Sequence, residues 1–283
     1  MPKESQQQRE WRKIDGKPVG FLAYCRELIE YREVAYVLIG RDLIIRFRHT
    51  YFGLAWLLFK PLMLMATMTF AFGHLAGFAK EGAVPYPLII FCGVIPWYFF
   101  SNAVPDGMGT LSWHMHIIQK TYFPRALFPL TAITSDAVEF LVAWLLFAAT
   151  CVWFRFVPDW RAIFFPLFCI QLYLLCVGIG LGLSVVNVRF RDISNLVPFL
   201  LSIGFLLSPV GYTLDRVPED WQLLYVFNPM VGIIEGLRWS LLSHDLHAFP
   251  RDAVLASAGV TAIIGWGGTQ TFLKHELDLV DLA

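Results

Sequence analysis

Asp136 and Glu139 stand three residues apart in a stretch, 127–154, that is otherwise apolar. Carboxylates in hydrocarbon are costly, so they either pair with a cation, Arg125 or one on a neighbouring helix, or line a polar pathway. Both readings stay open on sequence alone. Lys60 lies near the inner end of another apolar stretch, 54–72, where its long stem lets the ammonium snorkel to water unless it faces a cavity.

No set of nucleophile, base and orienting acid is evident. His114 and His116 are two apart and point to different helix faces. His244, Asp245 and His247 supply no open three-ligand constellation and read as a solvated surface cluster rather than a metal site. His275-Glu276 lacks the second histidine of a zinc-protease motif. No Gly-x-x-x-x-Gly-Lys-Ser/Thr run occurs, so the chain has no phosphate-cradling loop and any energy for work comes from elsewhere. Gly178-Ile179-Gly180-Leu181-Gly182 has the wrong spacing for a dinucleotide fingerprint and suits close helix packing. The five cysteines form no Cys-x-x-Cys pair, which leaves neither a disulfide framework nor a zinc site to argue.

These residues sit in a chain of 283 with 57% hydrophobic, 16% aromatic and only 16% charged residues, against roughly 25% charged in soluble domains. That is a membrane composition. The formal net charge of zero excludes a nucleic-acid partner, which requires a basic face; lipid and protein are the expected partners. The polar start lacks the apolar core and cleavage site of a signal peptide, so the membrane-spanning segments themselves do the targeting.

The expected architecture is all-α and integral to the membrane. Residues 1–20, broken by Gly16 and Pro18, form a disordered cytoplasmic N-terminus. Residues 21–53 form an amphipathic helix, with Leu28, Tyr31, Ala35 and Leu38 on one face and Arg26, Glu30 and Glu33 opposite. A helix of a soluble bundle shows the same pattern; membrane segments directly behind it favour one lying on the cytoplasmic surface. The membrane domain, 54–273, holds six apolar segments: 54–72, 86–104, 127–154, 162–188, 193–213 and 253–273. Each is about the 20 residues that cross a bilayer. An even number returns the tail, 274–283, to the side of the N-terminus. The positive-inside rule makes that side cytoplasmic, because it places fifteen Lys and Arg residues inside against six outside.

Two connections stand out. Residues 227–242 are too apolar for a loop and too short to cross, which predicts a re-entrant helical pair in which Glu235 and Arg238 share a face; one interfacial helix is the alternative. Residues 111–123 predict a short cytoplasmic helix stopped by Pro124, able to dock in a partner's groove through Trp113, Ile117 and Lys120. Aromatic side chains cluster at Trp97, Tyr98 and Phe99 and at Phe205 and Tyr212. They read as an interfacial belt or as the flat walls of a channel along which sugar rings slide.

The runs Arg41-Asp42-Leu43 with Arg46-Phe47, Leu54-Ala55-Trp56 and Lys60-Pro61 carry a resemblance, joined by Cys92-Gly93-Val94-Ile95-Pro96-Trp97, Asn187-Val188-Arg189-Phe190-Arg191-Asp192 and Phe227-Asn228-Pro229-Met230. Over about residues 25–275 the chain resembles permease subunits of type-2 ATP-binding-cassette exporters of polysaccharide, O-antigen exporters most closely and capsule and teichoic-acid exporters next. The resemblance implies a homodimer around a channel in the bacterial cytoplasmic membrane. It also implies two copies of a separate ATPase, which would hold the ATP and Mg2+, with no cofactor on this chain. Trp113, His114, His116, Ile117, Lys120 and Tyr122 would form the ATPase-coupling helix. Arg41, Arg46, Arg48 and Lys60 would attract the pyrophosphate of a lipid-linked polysaccharide, since cationic donors bind phosphate oxygens well. Trp56, Phe59, Trp97, Tyr98, Phe99, Phe205 and Tyr212 would line the channel. The competing class, a membrane-embedded lipid-linked glycosyl or acyl transferase, requires convergent polar side chains at one membrane level, for which the chain offers Asp136, Glu139 and scattered histidines.

Overall fold

The computed structural model describes residues 21–48, 55–78, 84–115, 124–242 and 249–276. Among them every regular element is helical. Helices α1 (Phe21–Glu30) and α2 (Arg32–Arg48) meet at a turn on Tyr31. Next come α3 (Ala55–Met68, continued as a π-helix over Thr69–Leu75), α4 (Tyr86–Trp113), α5 (Leu127–Trp153) and α6 (Phe165–Arg189, entered through a 3-10 turn at Trp160–Phe164). Helices α7 (Ile193–Leu206), α8 (Glu219–Val226), α9 (Pro229–Leu241) and α10 (Arg251–His275) complete the order.

Four of these are long and apolar enough to cross a membrane: Ala55–Leu75, Tyr86–Trp113, Leu127–Trp153 and Trp160–Arg189. Helix α7 starts where the fifth apolar segment was expected but stops after 14 residues, a rise of about 21 Å against a hydrocarbon core of about 30 Å. The chain then turns through the buried Ser208-Pro209-Val210-Gly211. Pro209 has no N–H to continue the helix, and an added Cβ at Gly211 would sit 2.6 Å from the Phe72 ring. Helix α10 has 25 residues but is diluted by Ser, Thr, Gly and Gln.

Helix α4 is the pillar, buried along most of its 28 residues and packed against α3, α5, α6, α7 and α9. Phe99 lies 4.8 Å from Phe140, centroid to centroid, and Phe91 packs on Phe147. On the far side of α6, α10 runs parallel to it, as the successive pairs Gln171–Ser257, Gly178–Gly265 and Gly182–Gly268 show. The backbones touch there: an added Cβ at Gly178 would stand 2.6 Å from Gly265 Cα. This is the close packing expected of the glycine run 178–182.

The segment at 227–242 forms a single helix, α9, rather than a pair, and Asn228 caps it by accepting from the Met230 N–H at 3.0 Å. Most of α9 is buried against α4, α6 and α10. The two ends of the described chain meet at one end of the bundle: the Tyr24 hydroxyl donates to Glu276 at 2.7 Å, and the Arg125 backbone N–H donates to the same carboxylate at 3.0 Å. Tyr24, Leu111, Phe128, Val185 and Phe272 form one apolar cluster beneath that contact. The expectations for residues 1–20, for 49–53 and for 277–283 lie outside the described residues, as do His244, Asp245 and His247.

Candidate functional site

The polar centre of the bundle forms around Arg46, in the last turn of α2. Its Nη1 donates to Asp136 at 2.5 Å and to Glu139 at 2.7 Å, both on α5, while Nη2 donates to Asp106 on α4 at 2.7 Å. Asp136 and Glu139 share a face because residues three apart on a helix are neighbours. Asp136 is only 3% exposed, and its second oxygen, Oδ2, is buried without a partner among the described residues. Burial alone would lower the pKa of Arg46; the charge of Asp136 and the bonds to both α5 carboxylates raise it instead, so the guanidinium stays charged. One cation thus serves three carboxylates, and α2 is held on the α4–α5 pair by charge-assisted bonds.

In that geometry the Arg46 donors are engaged by carboxylates of the same chain. Arg41 is engaged as well. It pairs with Asp42 at 2.9 Å, and its Nη2 lies 2.8 Å from His114 Nε2. His114 Nδ1 is 3.0 Å from the Thr110 carbonyl oxygen. A carbonyl only accepts, so Nδ1 carries the proton and Nε2 accepts from Arg41. Lys60 is exposed on α3, and Arg48 closes α2.

Residues 111–113 belong to the last turn of α4 rather than to a separate helix, and Leu111 is fully buried. Trp113 is 64% exposed, whereas His114 stacks on Phe128 with centroids 5.0 Å apart. His116, Ile117, Lys120 and Tyr122 lie outside the described residues. Of the aromatic residues, Trp56 and Phe59 are exposed and meet edge-on at 5.5 Å. Trp97 and Phe99 are buried in the core: Trp97 packs on Phe100 and Phe205, and Phe99 on Phe140. Tyr98 and Phe205 are half-buried. The Tyr212 hydroxyl donates to the Leu206 carbonyl at 3.1 Å and lies 3.1 Å from the Tyr225 hydroxyl.

A second polar centre forms on α9. Arg238, 2% exposed, donates to the carbonyls of Ile89, Val210 and Tyr212 at 3.2, 2.9 and 2.8 Å and to Glu235 at 3.0 Å. Glu235 also accepts from the Leu214 N–H. The pair foreseen from spacing is therefore part of a larger knot, which gives partners to the carbonyls released where α7 ends. Asp106 and the carbonyl partners of Arg238 escaped sequence reasoning. The second apolar segment, expected to end at 104, continues as α4 through Asp106 to Trp113.

A bundle of membrane-length helices whose polar groups bond to one another defines a multi-pass membrane protein. The chain belongs to the family described as ABC-2 type transporter, which matches residues 33–242. It is therefore the permease component and not an enzyme, and the ATPase is a separate chain. Among its relatives is the O-antigen export system permease protein RfbA of Myxococcus xanthus, 24% identical over 249 residues, which are 87% of this chain and 94% of the relative. The protein of the same name from Klebsiella pneumoniae is 25% identical over 72% of this chain and 77% of its own length. The polysialic acid transport protein KpsM of Escherichia coli is 22% identical over 71% and 78%.

Proposed function

We propose that this chain is the channel-forming permease of an ATP-driven exporter that moves lipid-linked polysaccharide, of O-antigen type, across the bacterial cytoplasmic membrane. The observation that carries the reading is the match to permeases named for O-antigen export along almost the whole chain. Capsule export is the second reading, favoured by the similarity to the polysialic acid transport protein. The chain crosses six times, with both termini cytoplasmic. The meeting of Tyr24 with Glu276 supports an even number of crossings. Helix α7 with its buried turn makes the fifth crossing and α10 the sixth, while α8 and α9 form a re-entrant pair on the outer side.

Two copies enclose the channel. The apolar faces of α3 and α7, exposed at Phe59, Met63, Phe199 and Leu206 among others, support this assembly. Trp56, Phe59 and Tyr212 are the aromatic residues that would face the polymer. Two ATPase chains holding ATP and Mg2+ drive the cycle through residues 111–123, with Trp113 as the exposed contact. With Arg46 and Arg41 engaged by carboxylates, Arg48 and Lys60 are the cations that would meet the lipid pyrophosphate.

Reconstitution of the permease with its ATPase in vesicles containing lipid-linked polymer tests the reading. The expected result is accumulation of polymer on the far side that needs ATP and both chains. Formation of a new glycolipid by the permease alone would establish the transferase class instead.

A further inference from the structure

The turn between α5 and α6 holds an arginine in a backbone conformation that favours glycine. Arg155 has a φ of 55°. Two backbone bonds close α5 around it, from its own N–H to the Val152 carbonyl at 3.1 Å and from the Phe156 N–H to the Cys151 carbonyl at 2.9 Å. Glycine usually fills that left-handed position, because a Cβ is strained there. The negative end of the helix dipole favours a cation at the site, which accounts for its charge but not for its setting.

That setting is a membrane boundary. The helices on both sides of the turn are long and apolar enough to cross a bilayer. Leu141, Leu145 and Val152 on α5 and Leu167, Ile170 and Leu174 on α6 repeat at helical spacing and are 52–78% exposed, a stripe suited to hydrocarbon. Trp153 stands 13 residues beyond Phe140, the middle of α5, a rise of about 20 Å. Hydrocarbon ends about 15 Å from the midplane and the headgroup region about 20–22 Å from it, so the turn falls at headgroup level. Trp153 and Trp160, at its two ends, are 84% and 69% exposed, and tryptophan is enriched at that level.

The other charges of the turn are engaged. Asp159 accepts from the Trp160 N–H at 2.7 Å. Arg161 lies 5.4 Å from the centroid of the Trp239 ring and 4.0 Å from Asp159. Arg155 is exposed and makes no ion pair among the described residues.

We infer that Arg155 binds the phosphate of an anionic phospholipid headgroup, with Trp153 and Trp160 seated in the membrane interface on either side of it. The crossing of α5 and α6 supplies the occupant. Where both helices leave hydrocarbon, headgroups surround them, and a guanidinium matches phosphate in charge and geometry. The site depends on neither the polymer nor the ATPase.

The test uses the permease–ATPase complex in nanodiscs of mixed phosphatidylcholine and phosphatidylglycerol, with a photoreactive group on the head of one lipid or the other and labelled positions mapped by mass spectrometry. Head-group probes should label residues 153–160, and a probe at the tail end should label Leu141 and Ile170 instead. Phosphatidylglycerol should label the turn about fivefold better than phosphatidylcholine at equal abundance, which corresponds to about 1 kcal/mol for a basic residue at an anionic surface. Arg155→Gly suits the left-handed backbone, so it should bring that ratio close to one while keeping or raising the melting temperature in lipid-free detergent. Arg155→Lys should retain much of the preference. Equal labelling by the two lipids in the unaltered protein, or a preference unchanged in Arg155→Gly, would overturn the site. So would a lower melting temperature of Arg155→Gly in detergent, which would make the arginine structural. Displacement of the head-group probes by lipid-linked polymer would make the turn a polymer contact instead, and tail-end labelling of 153–160 would place it in hydrocarbon; either result refutes the inference.

Discussion

Arg46 Nη1 lies 2.5 Å from Asp136 Oδ1, which ties the last turn of the N-terminal helix pair to the middle of a membrane-length helix ninety residues further along the chain. The contact clasps α2 to α5 through a charge-assisted bond. It also defines the first measurement to make.

Arg46→Gln leaves Asp106, Asp136 and Glu139 facing one another without a cation. Removing one member of a buried ion pair costs about 3–5 kcal/mol; with Arg46 one-third exposed, the low end applies. The melting temperature of the purified permease should fall clearly, and Arg46→Gln combined with Asp136→Asn and Glu139→Gln should recover much of it. Binding of lipid-linked polymer to that triple variant should persist. Its loss in a stably folded triple variant would restore Arg46 as a ligand.

Arg238 and Gly93 form a matched pair. An added Cβ at Gly93 would stand 2.8 Å from Arg238 Nη2 and 2.8 Å from the Val210 carbonyl oxygen. Gly93→Ala should therefore destabilise by about 1–3 kcal/mol, as overpacking does. Arg238→Lys should be worse, because an ammonium cannot span three carbonyls and a carboxylate at once. Thermal unfolding of both variants in detergent is the check; an unchanged Arg238→Lys protein would refute the knot.

The contact between the chain ends should depend on pH. Burial raises the pKa of Glu276 above the ordinary glutamate value, against the lowering effect of its bonds from Tyr24 and Arg125. The folded carboxyl thus holds its proton more tightly than the unfolded one. Its contribution to stability is complete below the unfolded value, about 4.3, and is lost as pH rises through the folded one. Hydrogen exchange in α1 should accelerate over that rise, and Glu276→Gln should flatten the dependence.

Trp113 offers a separation of folding from coupling. Its ring is exposed at the end of α4, so Trp113→Ala should change permease stability by less than about 0.5 kcal/mol. Polymer-stimulated ATP hydrolysis by the complex should nonetheless fall several-fold. Full coupling in this variant would move the ATPase contact elsewhere within 111–123.

Gly178→Leu should separate α6 from α10, because an added Cβ already stands 2.6 Å from Gly265 Cα. A disulfide engineered between Gln171→Cys and Ser257→Cys should form readily in the parent background and poorly in the Gly178→Leu one. Equal yields would show that the crossing does not depend on glycine.

Much of the frame was legible. Long apolar runs became α3 to α6 within a few residues at most ends, because the bilayer requirement of about 20 apolar residues is written in composition. The glycine run 178–182 was read as a packing surface for the same reason: only small residues let helices approach that closely. Errors fell where a local signal was overruled. The second apolar segment was expected to end at 104, yet the helix continues to Trp113, packed on several sides. Residues 207–213 carry apolar residues, yet the helix ends, because Pro209 interrupts it and Arg238 gives the freed carbonyls a partner.

By itself the sequence determined that the protein lives in a bilayer, is helical, has no nucleotide loop and carries a few charges too costly to be idle. Those properties depend on residue type and local spacing. Only the tertiary structure decided which charge each of them answers. Arg46 meets Asp106, Asp136 and Glu139 across separations of 60 to 93 residues, and no periodicity encodes such distances. Pairing in a low-dielectric interior is set by which helices touch, and that is a property of the packed bundle.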